Sequence, residues 1–265
     1  MIRLCILGDS HVGALLEADV FRALKRTHKV TFFTAHIDNF PDLYLRDGKL
    51  CTDNEDFAEL LQSHSGGKRE IVLEDYDEFV LMGLGLSAGA VAIYYYDYIF
   101  DGIYDKLDAA RDQKYVVSDA FFSKLCQYVL LQSEAMRIAT TIRKGSSRPI
   151  TVVAAPNPGL GMAESEYPEW FPPFHAIMRD GLDAIYARIF REVCALLAEK
   201  HGVMIIPSLP EAAENGVFNR FEYSLFSELA EGAPDDEKLN AIVHGNGRYG
   251  KLLIKRILNG SPAAD

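Results

Sequence analysis

Long apolar runs are missing from this chain of 265 residues. No stretch approaches the roughly 18 to 20 apolar residues that a membrane-crossing helix needs. The opening "MIRLCILGDS" has too short an apolar segment for a secretory signal. Basic runs are missing as well. The net charge of −11 argues against a nucleic-acid backbone or an anionic membrane as the main partner. Cysteine is scarce: Cys5, Cys51, Cys126 and Cys194 are scattered with no CxxC spacing. That excludes a zinc ribbon or a disulfide frame and leaves reduced, mostly buried thiols. No GxxxxGK[ST] phosphate loop occurs, and no cofactor or metal is expected. These absences together predict a cytoplasmic protein with a small-molecule or carbohydrate substrate; they leave its oligomeric state open.

What is present suffices for a sizeable core, at 49% hydrophobic residues. Apolar, β-branched segments at 2–7, 29–35, 76–86, 148–159 and 202–210 read as five strands. Helical periodicity is expected at about 11–26, 118–143, 173–200 and 245–258. The alternation predicts an α/β fold, a three-layer, doubly wound parallel sheet of five strands, in one domain spanning 1–265. Polar, turn-rich insertions are expected near 36–70 and 87–116.

Ligands of such sheets bind beyond the carboxyl ends of the strands. The polar residues there are Gly8-Asp9-Ser10-His11 after strand one, Gly83-Leu84-Gly85 after strand three and Pro156-Asn157-Pro158 after strand four. Asp9 or Ser10 can serve simply as a helix cap. Ser10 can equally present a hydroxyl beside free backbone N–H groups. A serine needs a base to act as a nucleophile. In "VHGNGRYGKLLIKRI", His244 stands just before the last amphipathic helix, where an imidazole of suitable pKa could meet it.

"ILGDSHVGAL" resembles the first block of the SGNH (GDSL-type) hydrolases, and "HGNGRYGKLL" resembles their last, where the catalytic histidine opens the final helix in an HxNxxYG arrangement. The resemblance implies a flavodoxin-like sheet and an esterase or acetylesterase that cleaves an ester or O-acyl group through an acyl-enzyme. It implies Ser10 as nucleophile, with part of the oxyanion hole from its N–H, and His244 as base; Asp9 and His11 adjoin them. The family places an aspartate three residues before its histidine; here that position is Ala241. Asp236, with Asp235 and Glu237 as neighbours, is the expected substitute if the loop folds back; otherwise the site is a Ser–His dyad. The family's GxND block, whose asparagine completes the oxyanion hole, is matched by Gly83-Leu84-Gly85-Leu86. Loss of one such donor costs about a hundred- to a thousandfold in rate. Gly83, Gly85 and Asn157 are the expected replacements. The family's second-block glycine is matched by Gly48, Gly66 or Gly67.

Two other segments stand out. "AIYYYDYIFDGIYDKLD" reads as rings packed into the core with acids in water, or as a sugar-facing loop; Trp170 in "EYPEWFPPFH" is a candidate pocket wall. The alternatives to hydrolysis are O-acyl transfer by the same pair and a lapsed SGNH-fold binding module. A metallophosphoesterase would use Asp9 and His11 as a D-x-H ligand pair, but its GDxxD block is missing.

Overall fold

The computed structural model describes residues 1–106, 115–159, 171–214, 216–230 and 232–259. Five parallel strands form its centre: β1 (Ile2–Gly8), β2 (His28–Thr34), β3 (Glu78–Met82), β4 (Ile150–Val153) and β5 (Met204–Ile206). Their order is β5-β4-β3-β1-β2. The expected doubly wound sheet is therefore present, with the strand order reversing beside β1. Gly8 at the end of β1 pairs with Thr34 of β2 on one side and Met82 of β3 on the other.

Side chains alternate across a strand, so a strand buried on both faces supplies two cores. Leu4, Ile6, Val80, Met82, Val153 and Ile206 belong to one buried cluster; Cys5, Leu7, Phe79, Leu81, Val152 and Ile205 belong to the other. The first cluster is closed by a one-turn helix (Gly13–Leu16), α1 (Ala18–Leu24) and the final helix. The second is closed by α2 (Glu55–Ser65), α3 (Asp119–Leu131), α4 (Glu134–Gly145), α5 (Pro172–Arg179) and α6 (Asp183–His201). Two further helices, α7 (Asp235–Ile242) and α8 (Gly247–Asn259), complete the described chain.

Three expected helices are divided. The first breaks at Glu17, whose backbone is extended (φ −51°, ψ 132°). The second stops before Ser133, whose hydroxyl caps α4 by accepting from the Met136 N–H. The third stops at Gly181, in the left-handed region at φ +66°. Periodicity alone runs through such breaks.

The 36–70 insertion is more ordered than its turn signals suggest. Tyr44–Arg46 and Lys49–Cys51 form a hairpin closed by Asp47-Gly48, both at positive φ, and Ile71–Val72 adds a third antiparallel strand. Asn54 caps α2 from the Phe57 N–H, and Gly66 ends it at φ +76°. In the aromatic insertion Tyr95, Ile99 and Phe100 are buried, and Phe100 stacks on Phe122 at 4.5 Å. These rings sit in short 3-10 and strand segments, Ile93–Tyr96 and Tyr98–Phe100, in place of one helix. Trp170 and most of its loop lie outside the described residues. No helix among the described residues is long and apolar enough to cross a membrane, and all four cysteines are buried and free.

Candidate active site

The carboxyl ends of β1 and β3 are joined by Asp9. Its Oδ1 accepts from the His11 N–H at 3.1 Å, and its Oδ2 accepts from the Leu84 N–H at 2.8 Å. The capping role thus falls to Asp9, which leaves the Ser10 hydroxyl free for another partner. Gly83, Leu84 and Gly85 all lie in the left-handed region, at φ +74°, +50° and +77°. For Leu84 that conformation costs about 1–2 kcal/mol; its fully buried side chain and the Asp9 carboxylate hold it there. Gly83 must lack a side chain, because a Cβ there would fall on the Asp9 carboxylate and 2.6 Å from the His11 ring.

His244 arrives from the opposite end of the sequence, between α7 and α8. Its Nε2 lies 2.7 Å from Ser10 Oγ and its Nδ1 lies 2.5 Å from the Asn240 carbonyl oxygen. A carbonyl can only accept, so Nδ1 carries the proton. In the neutral imidazole Nε2 is then a lone pair, and the Ser10 hydroxyl donates to it. Backbone geometry selects the tautomer that a general base requires.

Asp236 does not take this role. It is exposed in the first turn of α7 and makes no hydrogen bond to the imidazole. Ala241, three residues before His244, is buried, and its carbonyl accepts from Ser224 Oγ at 3.1 Å. The partner of the imidazole is a peptide carbonyl in the last turn of a helix, at the negative end of its dipole.

Sequence reasoning gave no role to Asn246, which fixes this arrangement. It is buried; its Nδ2 donates to the Glu222 and Ser224 carbonyls at 2.9 and 3.2 Å. Its Oδ1 accepts from the N–H groups of Arg248 and Tyr249, capping α8. An asparagine just before the periodic "GRYGKLL" is itself a helix-start signal. "GNGRYG" at 245–250 also has the GxGxxG spacing of a dinucleotide loop, but no strand precedes it. A Cβ at Gly245 would meet the Tyr249 ring at 2.6 Å, one at Gly247 would meet Glu17 at 2.9 Å, and one at Gly250 would fall on the Ala14 carbonyl. Gly247 and Gly250 serve close packing against the segment that follows Ser10, and Gly245 makes room for the Tyr249 ring.

The expected oxyanion residues divide. The Gly83 N–H donates to the Val153 carbonyl at 3.0 Å and that of Leu84 is taken by Asp9, so neither is free. The N–H groups of Ser10 and Gly85 carry no hydrogen bond among the described residues. Asn157 is buried; its Nδ2 donates to the Gly216 carbonyl at 3.3 Å. It lines a cavity of about 190 Å³ that His11 and Val243 also border.

The His11 ring lies against that of His244, tilted by 34° with centroids 4.7 Å apart. Burial lowers its pKa, Asp9 opposes that and His244 adds to it; Nδ1 of His11 is buried and makes no hydrogen bond among the described residues. The D-x-H pair does not converge on a common point with a third ligand: among the described residues no group of three or more His, Cys, Asp or Glu stands where it could hold one ion. Gly48, Gly66 and Gly67 lie in the hairpin and at the end of α2.

No protein-family model matches the chain, and no curated protein matches it. A solved structure titled "a putative platelet activating factor from Streptococcus pneumonia" aligns with 97% of this chain and 82% of its own, at 11% identity and a TM-score of 0.44. A likeness at that level carries no argument about function.

Proposed function

We propose that this chain is a serine hydrolase of the SGNH type that cleaves an ester through an acyl-enzyme. The observation that carries the proposal is the Ser10–His244 bond, with the second imidazole nitrogen bonded to a carbonyl. Two residues 234 positions apart meet at 2.7 Å in the tautomer that chemistry needs, at the switch point of the sheet.

Ser10 Oγ attacks the ester carbonyl carbon while its proton passes to Nε2 of His244. The tetrahedral oxyanion is received by the free N–H groups of Ser10 and Gly85. When the intermediate collapses, the C–O bond to the alcohol breaks and the alkoxide takes the proton from Nε2. Water then attacks the acyl-Ser10 carbonyl and gives its proton to His244; the acyl C–Oγ bond breaks, Ser10 Oγ takes that proton back, and the carboxylic acid leaves. Burial lowers the pKa of the neighbouring His11 ring, which lessens its repulsion of a charged His244. Transfer of the acyl group to a sugar hydroxyl would follow the same first half, and product analysis with an added acceptor separates the two outcomes.

The test is covalent labelling with a fluorophosphonate, read by peptide mass spectrometry. A single adduct on Ser10 that is lost in His244→Ala is the expected result. A folded protein with no adduct at Ser10 would overturn the proposal.

A further inference from the structure

The cavity beside His11 has the size and lining of a receptor for one small group. Its described walls are His11, the Ser87–Gly89 turn, the Ala155–Pro158 segment, Phe171, Phe174 and Val243. None is Lys, Arg, Asp or Glu. The polar atoms are few, and the rest is methyl, proline ring and phenyl surface. A carboxylate or phosphate would find no Lys or Arg among the described walls to offset its desolvation. An aliphatic group would lose water contact at no such cost.

The volume sets the length. Pockets for drug-sized ligands measure about 300–1,000 Å³, whereas this cavity measures about 190 Å³. That space suits a short acyl chain better than a long lipid chain. The position sets the identity. His11 contributes to the wall while its ring lies against that of His244, and Val243 contributes while preceding His244 in the chain. Ser10 itself is exposed. A large alcohol portion can therefore remain in solvent, while the smaller acyl portion, which stays covalently attached to Ser10 until water attacks, occupies the cavity.

We infer that this cavity is the acyl pocket of the site and that it selects an uncharged aliphatic acyl group of about four to six carbons. The inference rests on the esterase reading above. Gly89 is the residue that leaves the space open. A Cβ there would stand 3.6 Å from the Phe174 ring and 3.5 Å from Ser87 Oγ, both ordinary contacts, and its φ is not in the left-handed region. Alanine at 89 therefore fits the fold and takes volume from the cavity; valine takes more.

The experiment is a series of p-nitrophenyl esters from acetate to dodecanoate, on the full chain and on Gly89→Ala and Gly89→Val. Expected is a maximum of kcat/KM at butanoate to hexanoate, falling at least tenfold by decanoate. In Gly89→Val the hexanoate-to-acetate ratio should drop about tenfold, the scale of one methylene in a hydrophobic pocket; Gly89→Ala should move it the same way by less. If Gly89→Val does not fold, the alanine variant and the inactivation rates of alkylphosphonates of matching chain length give the same reading. Equal turnover of all lengths, or a profile that Gly89→Ala leaves unmoved, would overturn the acyl pocket while Ser10 labelling kept the esterase reading intact. No turnover of any ester together with no label on Ser10 would overturn both.

Discussion

His244 is held through both its ring nitrogens and its backbone, whereas the turn at Gly83–Gly85 is held by the Asp9 carboxylate and by backbone bonds alone, from Gly83 to Val153, from Leu86 to Gly83 and from Ala135 to Leu84. The histidine's N–H donates to the Ala241 carbonyl, its carbonyl accepts from Leu225, and its two ring nitrogens meet Asn240 and Ser10. Asn246 ties the same corner to residues 222–227 through its amide. Opposite it, the left-handed turn carries no side-chain donor; Asp9 secures Leu84, and what remains is the N–H of Gly85, which has no hydrogen bond among the described residues. The base half is positioned by redundant hydrogen bonds, so no single partner is irreplaceable. The oxyanion half depends on a conformation that only glycine adopts cheaply, so small changes there should be costly.

The comparison can be broken most severely at the nucleophile. Ser10→Ala should lower ester turnover by on the order of 10⁴- to 10⁶-fold, with no loss of melting temperature because Ser10 is exposed; steady-state kinetics and a thermal scan check both. Gly83→Ala comes next. Its methyl would strike Asp9 and His11 and displace the turn, and misplacement by about 1 Å costs on the order of a hundredfold. That loss should appear in kcat with the protein still folded.

Asn246→Ala tests the redundancy of the base half. Removing a cap and leaving buried carbonyls unpaired should cost about 2 kcal/mol in chemical denaturation. Turnover at low temperature should fall less than in Gly83→Ala, because Asn240 still orients the ring.

A pH series gives a smaller effect with a defined sign. The pKa of His11 is lowered in the folded protein, so below the ordinary value of about 6.5 the unfolded chain binds the extra proton first. Stability should decline as pH falls from there to the lowered pKa, and be flat above it. In His11→Gln the denaturation midpoint should depend less steeply on pH in that window. The smallest effect is expected of Asp236→Asn. An exposed carboxylate with no bond to His244 should change turnover less than about twofold, within the ordinary range for surface changes. A large loss would restore Asp236 as the third member.

Much of this arrangement is visible in the chain as written. Five apolar segments ending in Gly-Asp-Ser-His, Gly-Leu-Gly and Pro-Asn-Pro identify the sheet and the rim on which its polar residues collect. Ser10 and His244 stand out because each occupies the end of an element and neither is needed there for packing. Gly83 stands out too, but for the wrong reason: it is required as space for Asp9 rather than as a donor. The divided helices, the Asp47-Gly48 hairpin and the cap at Asn246 follow local rules, yet each competes with a longer periodicity that hides it.

The order of apolar and polar residues determined the fold class and brought Ser10 to the end of β1, because strand burial and turn chemistry are local and periodic. Only the tertiary structure decided what faces Nδ1 of His244, since a peptide carbonyl is present at every residue and leaves no mark in a sequence. It alone also decided which backbone N–H groups stay free, because that depends on hydrogen bonds between segments more than 70 residues apart.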